Sequence, residues 1–174
     1  MKKLWILLMA VALMAASGCM APDAYETMND MYLQGSVPAA GKLTMLLPVE
    51  AAALTMEGET GAVYVCDGYT VTLHTCEAGD LEATLRTVTG YDRENLSLME
   101  RMDEGMKRYE CVFTAAGEGG DQVGRAVILD DGNYHYVLCA MTPESHTEDL
   151  QHILRPVFAS FRLAEGDWQL NTGS

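Results

Sequence analysis

Positive charge is scarce in this 174-residue chain: 11 Lys and Arg stand against 25 Asp and Glu, a formal net charge of −14. An acidic field of that sign argues against nucleic acid as a partner, and against lying flat on an anionic membrane. The acidic residues are interspersed and build no tail, so they read as a solvated surface. Long apolar runs are scarce too. Beyond residue 15 no stretch approaches the roughly 20 residues that cross a bilayer as a helix. No Cys-x-x-Cys occurs, which excludes a thioredoxin-type redox pair. No Gly-x-Ser-x-Gly occurs, and no Gly-Lys-Ser/Thr accompanies Gly117, Gly119, Gly120 and Gly124. A serine-hydrolase elbow and a phosphate loop are therefore missing.

What is present begins at the N-terminus. Lys2 and Lys3 precede an apolar run from 4 to 15, and small residues Ala15, Ala16, Ser17 and Gly18 follow. This is the layout of a secretory signal peptide. Ala16-Ser17-Gly18-Cys19 resembles the bacterial lipobox, with Ala16 where Leu is usual. The resemblance implies a diacylglyceryl group on the Cys19 thiol and cleavage that leaves Cys19 first. Acyl chains acting together give the stable anchoring that one chain alone does not. The expected address is the cell membrane, lipid-anchored, on the extracytoplasmic face. Loss of Lys2 and Lys3 leaves 9 basic residues against 25 acidic, near −16.

The organisation expected is a signal peptide at 1–18, a lipidated tether at 19–41, one α+β domain at 42–164 and a tail at 165–174. Pro22, Gly35, Ser36, Pro38 and Gly41 make the tether read as mostly flexible spacer. A short helix over 23–33 would put Met28, Met31 and Tyr32 on one side.

Residues 43–48 form a short apolar run suited to a first strand. Runs at 62–66 and 69–76 flank Asp67-Gly68, a strong hairpin signal, which sets Cys66 opposite Tyr69 and Tyr64 opposite Val71. Asp80 reads as the N-cap of a helix bearing Leu81, Leu85 and Val88 on one face, closed by Gly90. Strands are expected at 96–102, 106–115, 123–129 and 134–141, in meander order. Leu150, Ile153, Leu154, Val157, Phe158 and Phe161 recur at helical spacing, with Glu148, Asp149, Gln151 and Arg155 largely outside that stripe. Pro156 would kink this helix or begin a new segment. The fold class is α+β, an antiparallel sheet with helices packed on it.

The stretch DDGNYHYVLCAM at 130–141, followed by DLQHILRPVFASFRL at 149–163, resembles the end of PsbP-like domains found in many bacterial lipoproteins. The shared features are two aromatic-rich strands, a helix with a Pro-aliphatic-Phe step and a Ser-Phe-Arg close. The likeness spans about 41–163. It implies an α/β/α sandwich and a generally non-enzymatic role, and carries over no binding residue.

Candidate sites are few. Besides Cys19 there are Cys66, Cys76, Cys111 and Cys139, an even number that admits two disulfides in three connectivities. The hairpin register separates Cys66 from Cys76 by roughly 20 Å, and an intervening strand separates Cys111 from Cys139 by about 10 Å. A disulfide needs Cα atoms within about 7 Å. Bonds between the two groups stay open, but most of these residues are expected as free thiols. His135 and Cys139 share a face about 13 Å apart, and His74 and Cys76 about 7 Å apart, too far for a thiol–imidazole pair. No zinc spacing is present, and His146 and His152 fall on different faces. Asp130-Asp131-Gly132-Asn133 lacks the Glu of a calcium loop, since Met141 holds that place. Glu100 and Asp103 read as solvated surface. The sequence therefore offers no catalytic, cofactor-binding or metal residue, and its one expected modification is lipid on Cys19. The expectation is a non-enzymatic envelope lipoprotein that binds a partner protein or small ligand. The alternative is an enzyme acting on envelope material through a site hidden in the sequence.

Overall fold

A computed structural model of the chain describes residues 25–29, 43–49, 55–58, 61–66, 68–117 and 120–164. The segment expected as a signal peptide, Cys19 and the tail at 165–174 lie outside the described residues. Among the described residues ten strands and two α-helices follow one another: β1 Tyr25–Asn29, β2 Leu43–Pro48, β3 Thr55–Gly58, β4 Gly61–Cys66, β5 Tyr69–Glu77, α1 Leu81–Thr89, β6 Met99–Asp103, β7 Met106–Gly117, β8 Gly120–Asp130, β9 Tyr134–Pro143, α2 Thr147–Ser160 and β10 Arg162–Leu163.

Seven strands form an antiparallel sheet in the order β3-β4-β5-β9-β8-β7-β6, and β1-β2-β10 form a smaller one. The hairpin register is the one the Asp67-Gly68 turn requires, with Cys66 opposite Tyr69 and Tyr64 opposite Val71. Gly68 takes φ 87°, the left-handed conformation that only glycine adopts at little cost. From β6 to β9 the chain is a meander. The expected meander stops there, because β5 pairs with β9 along eight residue pairs from Thr70–Met141 to Glu77–Tyr134. That non-local pairing joins the two halves of the sheet.

Alternation along the strands sends apolar side chains to both faces, so each face needs a cover. On one face α1 lays Leu85 against Tyr109, Cys111, Ile128 and Val137. Asp80 caps α1 by accepting from the Glu82 amide at 3.0 Å, and Gly90 closes it at φ 79°. On the other face α2 and β2 cover Val71, Leu73, Val127, Leu129, Tyr136 and Leu138. Val157, Phe158 and Phe161 are all buried there, as the helical stripe requires.

Four readings of the sequence are corrected. The stretch expected as a helix over 23–33 holds β1, which pairs antiparallel with β2 from Tyr25–Pro48 to Asn29–Thr44. Sheet pairing outweighs the weak helical spacing of three residues. The strand expected at 96–102 begins at Met99, after a 3-10 turn at Arg93–Asn95, because Leu96 and Leu98 are drawn under α1. Pro156 begins no new segment, since it sits inside α2. Gln151 does not face away from the sheet: it is exposed, but lines a groove between α2 and the strands.

Candidate functional site

The groove exists because α2 crosses β9 and β2 and leaves the β6–β8 end of the same face open. Positions 106, 108, 110 and 112 of β7 alternate onto that face. Met106, Arg108 and Glu110 are buried, whereas Val112 is 59% exposed. The uncovered space has two adjoining parts. One, about 830 Å³, is lined by Met99, Val112, Val123, Leu154 and Phe158 among others. The second, about 570 Å³, carries Arg101, Arg108, Arg125 and Arg155 together with Glu110 and Glu148. Phe158, Arg125, Glu110 and Met99 border both.

An ion network floors the charged part. Arg108 Nε donates to Glu110 Oε1 at 2.8 Å, and Arg125 Nη2 donates to Glu110 Oε2 at 3.0 Å. Arg101 Nη2 lies 3.3 Å from Glu110 Oε1. Burial alone would raise the Glu110 carboxyl, but the bonds from Arg108 and Arg125 outweigh it and hold the group below the usual carboxylate range. The remaining donors of Arg108 reach α2, with Nη2 to the Phe158 carbonyl at 2.8 Å and Nη1 to the Phe161 carbonyl at 3.0 Å. These are carbonyls at a helix C-terminus, which a buried cation suits in hydrogen bonding and in dipole. Arg125 stacks over the Phe158 ring, 4.5 Å from its centroid, while its side chain stays 42% exposed. Arg155 is exposed and makes no ion pair among the described residues.

A second groove of about 710 Å³ flanks α1 on the opposite face, between Val63, Thr72, His74, Val88, Phe113 and Met141. It contains no charged residue, and nothing in the structure says what would cover it.

The residues singled out from sequence are scattered. Cys66, Cys76, Cys111 and Cys139 are free thiols. Cys111 and Cys139 both register with Ala126, from opposite sides of β8. Burial pushes the Cys111 thiol up and the Cys139 thiol up to about 12, the opposite of an activated nucleophile. His135 is 2% exposed beneath α1, its Nδ1 2.8 Å from the Thr84 hydroxyl and its Nε2 3.9 Å from Asp130. Burial lowers its pKa. A hydroxyl, an imidazole and a carboxylate in a row suggest a nucleophilic triad, but Thr84 and His135 are buried and line neither groove. The Asp130–Asn133 segment is a turn: Asp130 accepts from the Gly132 amide, and Asp131 from the Asn133 and Tyr134 amides. Glu100 and Asp103 sit 3.9 and 3.8 Å from Arg93 and Arg101 at exposed positions. Among the described residues no three of His, Cys, Asp or Glu gather as a metal site would require.

The sequence singles out the groove residues of α2, but not those of β6, β7 and β8. The signal for the strand residues is Arg108-x-Glu110, two buried charges between Met106 and Val112 on the same side of β7. In the groove no hydroxyl or thiol is hydrogen-bonded to a histidine or carboxylate among the described residues; Thr142 bonds the Val123 carbonyl and Thr147. The arrangement, an apolar wall beside converging charged groups, can hold a ligand.

No protein-family model matches the sequence, and no curated protein does. Among solved structures the chain is similar to the cyanobacterial PsbP, CyanoP, of Synechocystis sp. PCC 6803, with TM-score 0.57 and 11% identity over 84% of this chain and 96% of that one. It is also similar to LpqN of Mycobacterium tuberculosis, described as involved in cell envelope biogenesis, with TM-score 0.51 and 10% identity over 80% and 91%. Identities this low speak for architecture alone: the chain has a PsbP-like α+β fold, an antiparallel sheet covered by a helix on either face.

Proposed function

We propose that this is a non-enzymatic binding protein of the extracytoplasmic face, held to the cell membrane by lipid on Cys19, with the α2–β6–β8 groove as its binding site. The groove carries the reading, because apolar walls and a few converging charged groups are what ligand and partner sites share. The signal-peptide layout and Ala16-Ser17-Gly18-Cys19 supply the address. A structural neighbour named for cell envelope biogenesis agrees with it. Among the described residues no helix is long and apolar enough to cross a membrane. The enzyme alternative would have to open the helix–sheet contact over Thr84 and His135.

A photoreactive residue at position 112, in the groove, tests this against one at position 82, on the exposed side of α1. Capture of the same envelope molecule from 112 and not from 82 supports the groove. Equal capture from both positions rejects it.

A further inference from the structure

The groove is polarised, and its polarity specifies an occupant. Four arginines face two glutamates in the charged part. This concentration of cations lies in a chain whose net charge is −14. Glu110 is spent on Arg108 and on one nitrogen of Arg125. Arg108 is itself consumed by the end of α2. That leaves Arg155, which has no ion pair among the described residues, together with the outer side of Arg125 and of Arg101, which touches Glu110 at 3.3 Å yet stays 53% exposed, facing the open space. Guanidinium groups there suit a carboxylate or phosphate through paired hydrogen bonds. Continuous with them lies the apolar part, where Val112 and Met99 are 59% and 57% exposed beside Val123, Leu154 and Phe158. Isolated exposed hydrophobes are ordinary, but two beside a cavity wall form an apolar patch.

We infer that the groove takes an amphipathic anion, its carboxylate or phosphate against Arg101, Arg125 and Arg155 and its aliphatic chain along Met99, Val112 and Leu154. Volumes of about 570 and 830 Å³ for the two parts suit one such molecule. Glu144, which lines the apolar part and not the charged one, would repel an anionic group there, which orients the molecule head to arginine. The inference rests on the groove being the binding site.

The test uses the purified full chain reconstituted in phosphatidylcholine vesicles, with a diazirine-bearing dodecyl phosphate as the probe. Adducts should map to β7 and α2 around Val112 and Leu154. Arg101→Glu combined with Arg155→Glu should cut labelling at least tenfold; both side chains are exposed, and thermal melting checks that the fold is kept. An uncharged dodecyl glycoside bearing the same diazirine should label at least tenfold less. Labelling that falls when phosphatidylglycerol is added assigns the headgroup to a bilayer lipid, and labelling indifferent to it assigns a free amphiphile; either result supports the inference. Equal labelling by the uncharged probe, displacement by inorganic phosphate at the same concentration, or indifference to charge reversal overturns it. If the phosphate probe fails while the residue at 112 still captures a protein, the amphiphile is rejected and the binding site stands. If both fail, the groove is not a binding site.

Discussion

Arg108 is the residue on which the groove side of the molecule turns. It is 2% exposed, and its guanidinium joins the Glu110 carboxylate to the end of α2. Arg108→Ala would take one of three arginine partners from Glu110 and leave two helix carbonyls without their donor, a loss of about 1–3 kcal/mol measurable as a lower urea midpoint. Phe158→Ala should cost about 3–5 kcal/mol for its buried ring, while Gln151→Ala should stay within about 0.5 kcal/mol. Two titrating groups set the pH response. His135 has a folded pKa below its ordinary 6.5, so its share of stability is full above that value and fades as pH falls through the folded pKa. Glu110 acts in the same direction in a lower window, below its ordinary 4.5. Denaturation midpoints of His135→Gln should therefore decline less than wild type as pH falls below about 6.5. A parallel decline in both proteins would remove His135 from the account.

Among the elements, those with local instructions were legible. Asp80 and Gly90 bound α1 as read, and the Asp67-Gly68 turn set the β4–β5 register pair for pair. Asp80→Ala should cost about 0.5–2 kcal/mol, read in thermal or urea unfolding. What the sequence hid is non-local. The β5–β9 pairing joins residues some 60 positions apart, and nothing in either strand names the other. β3 is four residues long and β1 five, too short for a period to show. The groove was hidden for the same reason, since its walls come from β6, β7, β8 and α2. On the opposite, α1 face, Gly124 records non-local packing at one position. A Cβ there would collide with the Phe113 ring and lie 2.7 Å from the Met141 sulfur. Gly124→Ala should thus cost about 1–3 kcal/mol by overpacking, and a variant as stable as wild type would mean that Phe113 can move aside.

For the whole molecule the address and the architecture meet at β1. Cys19→Ala should move the chain from the detergent phase to the aqueous phase or leave it uncleaved; unchanged partitioning would refute the anchor. A tether from Cys19 to residue 41 would, at about 3.3–3.6 Å per residue, reach some 75 Å from the bilayer. Yet β1 begins at Tyr25 and is pinned to β2, a strand that also carries β10 and packs against α2. With lipid on Cys19, only six residue steps separate the anchor from the folded body, a leash of at most about 21 Å. That is shorter than a small domain is wide. The protein would then graze its own bilayer rather than survey the space beyond it, and whatever fills the groove must come to it at the membrane's surface.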